Sequence, residues 1–252
     1  MTKKTWILFT VICVAIIGGL IYMAKSNKLD VTDVDAWAIQ TANEKNGNIA
    51  EHTLGDMKSK VIVIEYGDYQ CPGCATAQPV LKTVMEKYKD KVGFVFRNYP
   101  LTSIHPNALA AASAAESAGL QGKFWEMHDK LYENQNTWNR LNGTDRTNYF
   151  VSLANEIGID SEKLRANLNT DSKAIRQKIN YDRAIGQTLD LTGTPSIFVN
   201  GKKISDTRFV GSKIDTSDNK QSNFVWADAT ALENLVIKPA LKENGIAVED
   251  TK

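Results

Sequence analysis

Cysteine is scarce in this 252-residue chain, which holds only Cys13, Cys71 and Cys74. Cys13 lies in an apolar stretch, so Cys71 and Cys74 alone serve the rest of the chain and a framework of structural disulfides is excluded. Histidine is as rare, with His52, His105 and His128. A zinc site built on the Cys71-x-x-Cys74 pair would need two further ligands from so few, so neither metal nor cofactor is expected. No block of like charge occurs: 30 basic residues stand against 29 acidic ones, a formal net charge of +1. Such a balance offers nothing special to a phosphate backbone, and nucleic acid is not an expected partner. Internal repeats and low-complexity tracts are also lacking.

What the chain does have is an ordinary apolar content, 42%, enough for a globular core. It also has one uncharged stretch, Trp6 to Ala24, preceded by Lys3 and Lys4. Its nineteen residues nearly span a bilayer. The end of the stretch, Leu20-Ile21-Tyr22-Met23-Ala24, is a poor cleavage site, so a retained N-terminal transmembrane helix is favoured over a removed signal. Cys13 is then an apolar membrane residue. Lys25 and Lys28 balance Lys3 and Lys4, and charge leaves the orientation open. The expected organisation is an anchor with its flanks over residues 1–28, a polar juxtamembrane spacer over 29–58 with one short helix near Val34–Ala42, and a folded domain over 59–252.

Within that domain, Val61-Ile62-Val63-Ile64-Glu65-Tyr66 is an apolar, β-branched run that predicts a strand covered on both faces. Cys71-Pro72-Gly73-Cys74 follows and opens a helical pattern carried by Val80, Leu81, Val84, Met85 and Tyr88, with Pro79 inside it as a predicted kink. Val92 to Arg97 predicts a second strand, completing a parallel β-α-β crossover. From about 106 to 191 the chain is alanine-rich and amphipathic, punctuated by glycine, and predicts four or five inserted helices. Ser196 to Val199, the turn Asn200-Gly201 and Lys202 to Ile204 predict a hairpin. Asp206 to Asp228 is expected to be a solvated loop that exposes Asp215, Asp218 and Lys220, and a final helix is expected from about Ala229 to Glu243.

The chemistry gathers at the helix start. A thiolate at the first turn meets unpaired amide donors and the positive end of the helix dipole, so the pKa of Cys71 is expected to fall. Cys74, one turn further in, is placed to form a disulfide with Cys71 and to react second, with Pro72 and Gly73 setting the bridge. Glu65 has two open readings: a half-exposed strand residue, or a buried acid that exchanges a proton with Cys74. Pro195 also has two, an ordinary turn ending a helix and a cis-proline before the returning strand. His105, His128, Trp125, Trp138 and Trp226 read first as packing residues.

Four segments in order, Glu65 to Cys74, Phe96-Arg97-Asn98-Tyr99-Pro100-Leu101, Gly122-Lys123-Phe124-Trp125-Glu126-Met127-His128 and Gly193 to Gly201, resemble the DsbA-type thiol-disulfide oxidoreductases of the thioredoxin-like superfamily. The resemblance runs from about Lys60 to Lys203. It implies an α/β thioredoxin-like fold with an inserted helical domain. It further implies that Cys71 is the exchanging nucleophile, Cys74 the resolving thiol of a redox-active disulfide, Glu65 the buried acid and Pro195 a cis-proline, with Thr194 offering its backbone to a substrate peptide. Gly73 departs from the histidine of strongly oxidising members, which removes one stabiliser of the Cys71 thiolate. The expected partners are reduced or unfolded secreted proteins and a quinone-linked membrane redox protein, met on the extracytoplasmic side of the cell membrane by a monomer. A reductase or isomerase of the same fold, and a chaperone-like binding module, are the rival readings.

Overall fold

The computed structural model describes residues 3–26, 29–217 and 221–248, and the chain forms two units, Met1–Asp33 and Val34–Lys252. In the first unit, helix α1 runs over Lys3–Ser26, and Trp6, Ile7, Phe9, Val11 and Ile12 on it are exposed. The expected N-terminal helix is therefore present. Among the described residues, however, no helix is long and apolar enough to cross a membrane.

The second unit is built on a five-stranded sheet, in the order β1-β3-β2-β4-β5. Its centre is β2 (Ile62–Gly67), flanked by β3 (Gly93–Asn98) in parallel and β4 (Ser196–Val199) in antiparallel fashion. β2 and β3 are apolar and buried nearly throughout, as the continuous runs predict for strands covered on both faces. Helix α2 (Pro72–Lys87) joins them and buries Cys74, Ala77, Leu81, Val84 and Met85. Leu81, Val84 and Met85 each contribute on the order of 1.5–3 kcal/mol on burial. Pro79 lies inside α2. The hairpin from β4 to β5 (Lys202–Lys203) turns through Asn200 and Gly201, both at positive φ, +48° and +77°. That is the primed turn an Asn-Gly pair favours.

The outer strand β1 (His52–Gly55) corrects the expected spacer, because it pairs antiparallel with β3, His52 opposite Phe96. The run is only four residues long and only its Leu54 is apolar, too little for a periodic signal. The short helix expected near Val34–Ala42 is not formed; a 3₁₀ turn at Glu44–Asn46, capped by Asn43, stands nearby instead. This part of the chain is fastened by Arg97. Its buried guanidinium bonds the Glu51 carboxylate, the Ala36 and Ala38 carbonyls and the Tyr66 hydroxyl.

Between β3 and β4 lie six helices rather than four or five: α3 (Ala108–Gly119), α4 (Phe124–Glu133), α5 (Gln135–Trp138), α6 (Gly143–Glu156), α7 (Ser161–Thr170) and α8 (Lys173–Thr188). The single turn of α5 is too short to show a period, yet it buries Trp138 completely. The expected loop after Asp206 is instead a small antiparallel sheet of β6 (Arg208–Val210), β7 (Lys213–Asp215) and β8 (Asn223–Phe224), with β6 in the middle. Two- and three-residue strands leave no alternating pattern to read. Asp218 and Lys220, assigned to that loop, lie outside the described residues. The terminal helix forms as α9 (Ala229–Leu232), a π-turn at Glu233–Ile237 and α10 (Lys238–Glu243). Pro239 accounts for the break, since it lacks the amide the regular ladder needs.

Candidate active site

Strand β2 delivers the chain to the site. Its last residue, Gly67, must be glycine because a Cβ there would lie 2.4 Å from the Phe96 ring and 3.0 Å from the Tyr132 hydroxyl. The following turn is held by Asp68, whose carboxylate accepts from the Gln70 and Leu101 amides and meets His105 Nδ1 at 2.7 Å. The Asp68 carbonyl accepts from the Cys71 amide at 3.0 Å. From the inserted helices, Gln135 donates to the Tyr69 and Cys71 carbonyls, at 2.8 and 3.0 Å. Cys71 is therefore pinned from both sides at the N-cap of α2, and Pro72 takes the first helical position, where its missing amide costs nothing.

Both cysteines are free thiols here, and their surroundings differ sharply. The Cys71 thiol donates to the Thr194 carbonyl at 3.2 Å. Its pKa is lowered to about 6; a hydrogen bond with the Cys74 side chain is the largest cause, burial opposes it, and the Gly73 and Cys74 amides add to the lowering. Cys74 is fully buried, and that burial pushes its pKa well above the ordinary thiol value. Glu65 is 1% exposed on β2, and burial, aided by the charge of Cys71, raises its carboxyl to about 8. The half-exposed reading of Glu65 is thus excluded.

The Thr194–Pro195 peptide bond is cis. Pro195 is buried and Gly73 lies against it: a Cβ added at Gly73 would sit 3.1 Å from Pro195 Cδ and 3.6 Å from Cys71 Sγ. Thr194 carries a buried hydroxyl with no partner among the described residues. Cys71, Cys74, Pro72, Gly73, Thr194, Pro195 and Glu65 thus share one neighbourhood. The tryptophans do pack, Trp138 and Trp226 buried and Trp125 donating to the Thr53 carbonyl at 3.1 Å.

The family model described as "Thioredoxin" matches residues 47–212. The chain belongs to the thioredoxin family. It is also similar to proteins that bear other names. It is 34% identical, over 151 residues and 60% of its length, to the Na(+)/H(+) antiporter NhaA 1 of Mycolicibacterium vanbaalenii, of which the match takes in 23%. The chain thus spans about a quarter of the length of that relative. It is 29% identical over 198 residues to a probable disulfide bond formation protein D of Bacillus anthracis, covering 77% of this chain and 86% of the relative. Among solved structures, oxidised BdbD from Bacillus subtilis superposes with a TM-score of 0.58 at 23% identity, over 81% of this chain and 98% of that one.

Around the thioredoxin-family dithiol, Tyr69 and Tyr132 had no role assigned from sequence, and His128 was expected only to pack. Tyr69 and Tyr132, with ring centroids 4.9 Å apart, are buried beside Glu65, and their hydroxyls have no partner among the described residues. His128 packs edge-on against Phe96 at 4.8 Å and Tyr132 at 5.1 Å. The segment Gly122 to His128 marked a resemblance, but nothing in its spacing said that its histidine would lie on the Glu65 side of the sheet.

Proposed function

We propose that this protein is an extracytoplasmic thiol-disulfide oxidoreductase that introduces disulfides into secreted or surface proteins through Cys71 and Cys74. The observation that carries the reading is the asymmetry of the pair: Cys71 at a helix N-cap with its pKa lowered to about 6, Cys74 buried and raised. A client thiolate attacks the Cys71 sulfur of the oxidised pair; the Cys71–Cys74 bond breaks, Cys74 leaves as a thiolate and takes up a proton from Glu65. A second client thiolate then attacks the client sulfur of the mixed disulfide, and Cys71 leaves as a thiolate. The client gains one disulfide and the enzyme two electrons. A low-pKa Cys71 suits this direction because it is a good leaving group and stabilises the reduced enzyme.

Thr194 and Pro195, beside Cys71, receive the client backbone in this reading as a strand added to the site. Reoxidation requires an electron acceptor, assigned here to a quinone-linked membrane partner. The uncharged stretch Trp6–Ala24 supports membrane anchoring, with the domain facing the extracytoplasmic side, where disulfides persist. In this proposal the dithiol chemistry lies in the sheet and the helical insertion at about 106–191, while β1 and the residues that Arg97 fastens complete the same folded unit. A reductase or isomerase role rests on Gly73, which lacks the side chain that would further stabilise the thiolate.

Equilibrating the protein with glutathione buffers and reading the reduced fraction gives the reduction potential. A value near the roughly −120 mV of strong oxidants supports disulfide donation. A value near the roughly −270 mV of thioredoxin reverses the direction in favour of the reductase.

A further inference from the structure

A cavity of about 750 Å³ lies beside α2 and α4 on the Glu65 face of the sheet, and Glu65, Gln78, Lys82, Trp125, His128 and Asp129 are among the residues lining it. Exposed residues stand at its wall, among them Lys82, whose side chain is 55% exposed. Two buried residues of its lining carry polar atoms that have no hydrogen-bond partner among the described residues, Glu65 Oε1 and His128 Nε2. They lie on one face of the sheet: Glu65 pairs in register with Phe96, whose ring packs on His128. A cavity of this size has room for water, and buried polar atoms at its wall are the groups that bind it.

The other side of the His128 ring fixes its protonation. Nδ1 lies 3.2 Å from Asp129 Oδ1, an oxygen that also accepts from Gln78 at 2.7 Å, while Lys82 holds Oδ2 at 2.6 Å. Burial pushes the His128 pKa down. The imidazole is then neutral, Nδ1–H points to Asp129, and Nε2 presents its lone pair.

We propose that His128 is a positioning residue that passes protons between solvent and Glu65 through water in this cavity, and so acts through Glu65 on Cys74. The proposal rests on the dithiol exchange described above. When a client thiolate opens the Cys71–Cys74 disulfide, the Glu65 carboxyl proton moves to the Cys74 sulfur and leaves a carboxylate. Water bound at His128 Nε2 then delivers a solvent proton to that carboxylate. The proton taken in equals the one the client thiol released on ionising, and the transfer itself changes no oxidation state.

The charged and titratable groups facing His128 are His52 from β1, Glu65 from β2, Lys82 from α2, Asp129 and Tyr132 from α4, and Tyr69 from the turn after β2. Tyr69 and Tyr132 also approach Glu65, but neither lines the cavity, and burial pushes both phenols well above their ordinary value. Among the described residues, His128 is the buried titratable group that lines the cavity together with Glu65.

The test is the rate at which the oxidised full-length protein reacts with a reduced cysteine peptide, followed from pH 5 to 9. Wild type, Glu65→Gln, His128→Phe and the double variant are compared. Phenylalanine fits the ring cluster; it removes Nε2 together with the Nδ1–H bond to Asp129, whose carboxylate keeps Gln78 and Lys82, so His128→Phe is expected to keep most of its thermal stability. It should nevertheless react about a hundredfold more slowly at neutral pH, the low end for a lost proton-transfer group, with a displaced pH inflection. In the Glu65→Gln background the same change should cost nothing more. An unmoved pH profile, or a double variant whose loss is the product of the two single losses, overturns the relay. Should His128→Phe fail to fold, Asp129→Asn, which removes the charge holding Nδ1–H, is read by the same comparison. A wild-type protein that does not oxidise the peptide at all overturns the exchange reading itself, a result distinct from either of these.

Discussion

Replacing Glu65 with glutamine should make the reduced protein more stable, by an amount that depends on pH in a specified way. Folded Glu65 keeps its proton until about pH 8, whereas in the unfolded chain it releases it near 4.5. Below pH 4.5 both states are protonated and the carboxyl gives no pH dependence. As pH rises from 4.5 to 8, the unfolded chain gains the free energy of ionisation and the folded protein does not. Wild type therefore loses about 1.4 kcal/mol per pH unit over this window, on the order of 5 kcal/mol in all. Above pH 8 the loss stops growing. Glutamine has nearly the same shape and cannot ionise; any hydrogen bond it makes or lacks adds an offset that does not vary with pH. Urea unfolding of both proteins under reducing conditions at pH 5, 6.5 and 8 isolates the carboxyl, because the other titrating groups largely cancel in the difference. Stability curves that run parallel across this range would refute the assignment of Glu65 as a carboxyl kept neutral by burial. A further check lies in the oxidised protein: the Cys71 thiolate that helps to raise Glu65 is gone, so the gap between variant and wild type should shrink.

Thiolate absorbance should place half-ionisation of Cys71 near pH 6 in the wild type, and Cys74→Ala, which removes the largest cause of the lowering, should move the midpoint toward 9; an unmoved midpoint would assign the effect to the helix terminus instead. Gly67→Ala forces a methyl into the Phe96 ring and should lower stability by about 1–3 kcal/mol in urea, even though alanine is otherwise the better strand residue. Glu51→Ala leaves the Arg97 guanidinium without its carboxylate in a fully buried setting and should lower stability by about 3–5 kcal/mol; a change within the error of the measurement would mean that the remaining carbonyl partners suffice.

The strands that form the centre of the sheet were legible because they are covered on both faces, and burial on both faces leaves unbroken apolar runs such as Val61 to Ile64. The start of α2 was legible from Pro72, and the β4–β5 turn from Asn200-Gly201. What escaped was held together by contacts distant in sequence. β1 exists because β3 offers it an edge and Arg97 reaches Glu51, neither of which marks four residues as a strand. The sheet at 208–224 is too short for any period. In the site, Cys71 and Cys74 announced themselves by spacing, and Glu65 stood out as a charge in an apolar run, which left only its burial to be settled. His128 and Tyr132 could not be placed, because the helix that carries them arrives at the dithiol by tertiary packing, across an insertion whose path over the sheet no local pattern records.

Arg97 also governs where this chain can be severed. Its four partners come from residues 36 to 66, so a fragment starting at residue 59 would keep the guanidinium in the interior while discarding the Glu51 carboxylate and the carbonyls of Ala36 and Ala38. It would also expose the outer edge of β3, which β1 covers. Trimming by proteases or by cloning should therefore be tolerated up to about residue 33, where the two units part. Beyond that point each residue removed undoes part of the enclosure around a permanent positive charge.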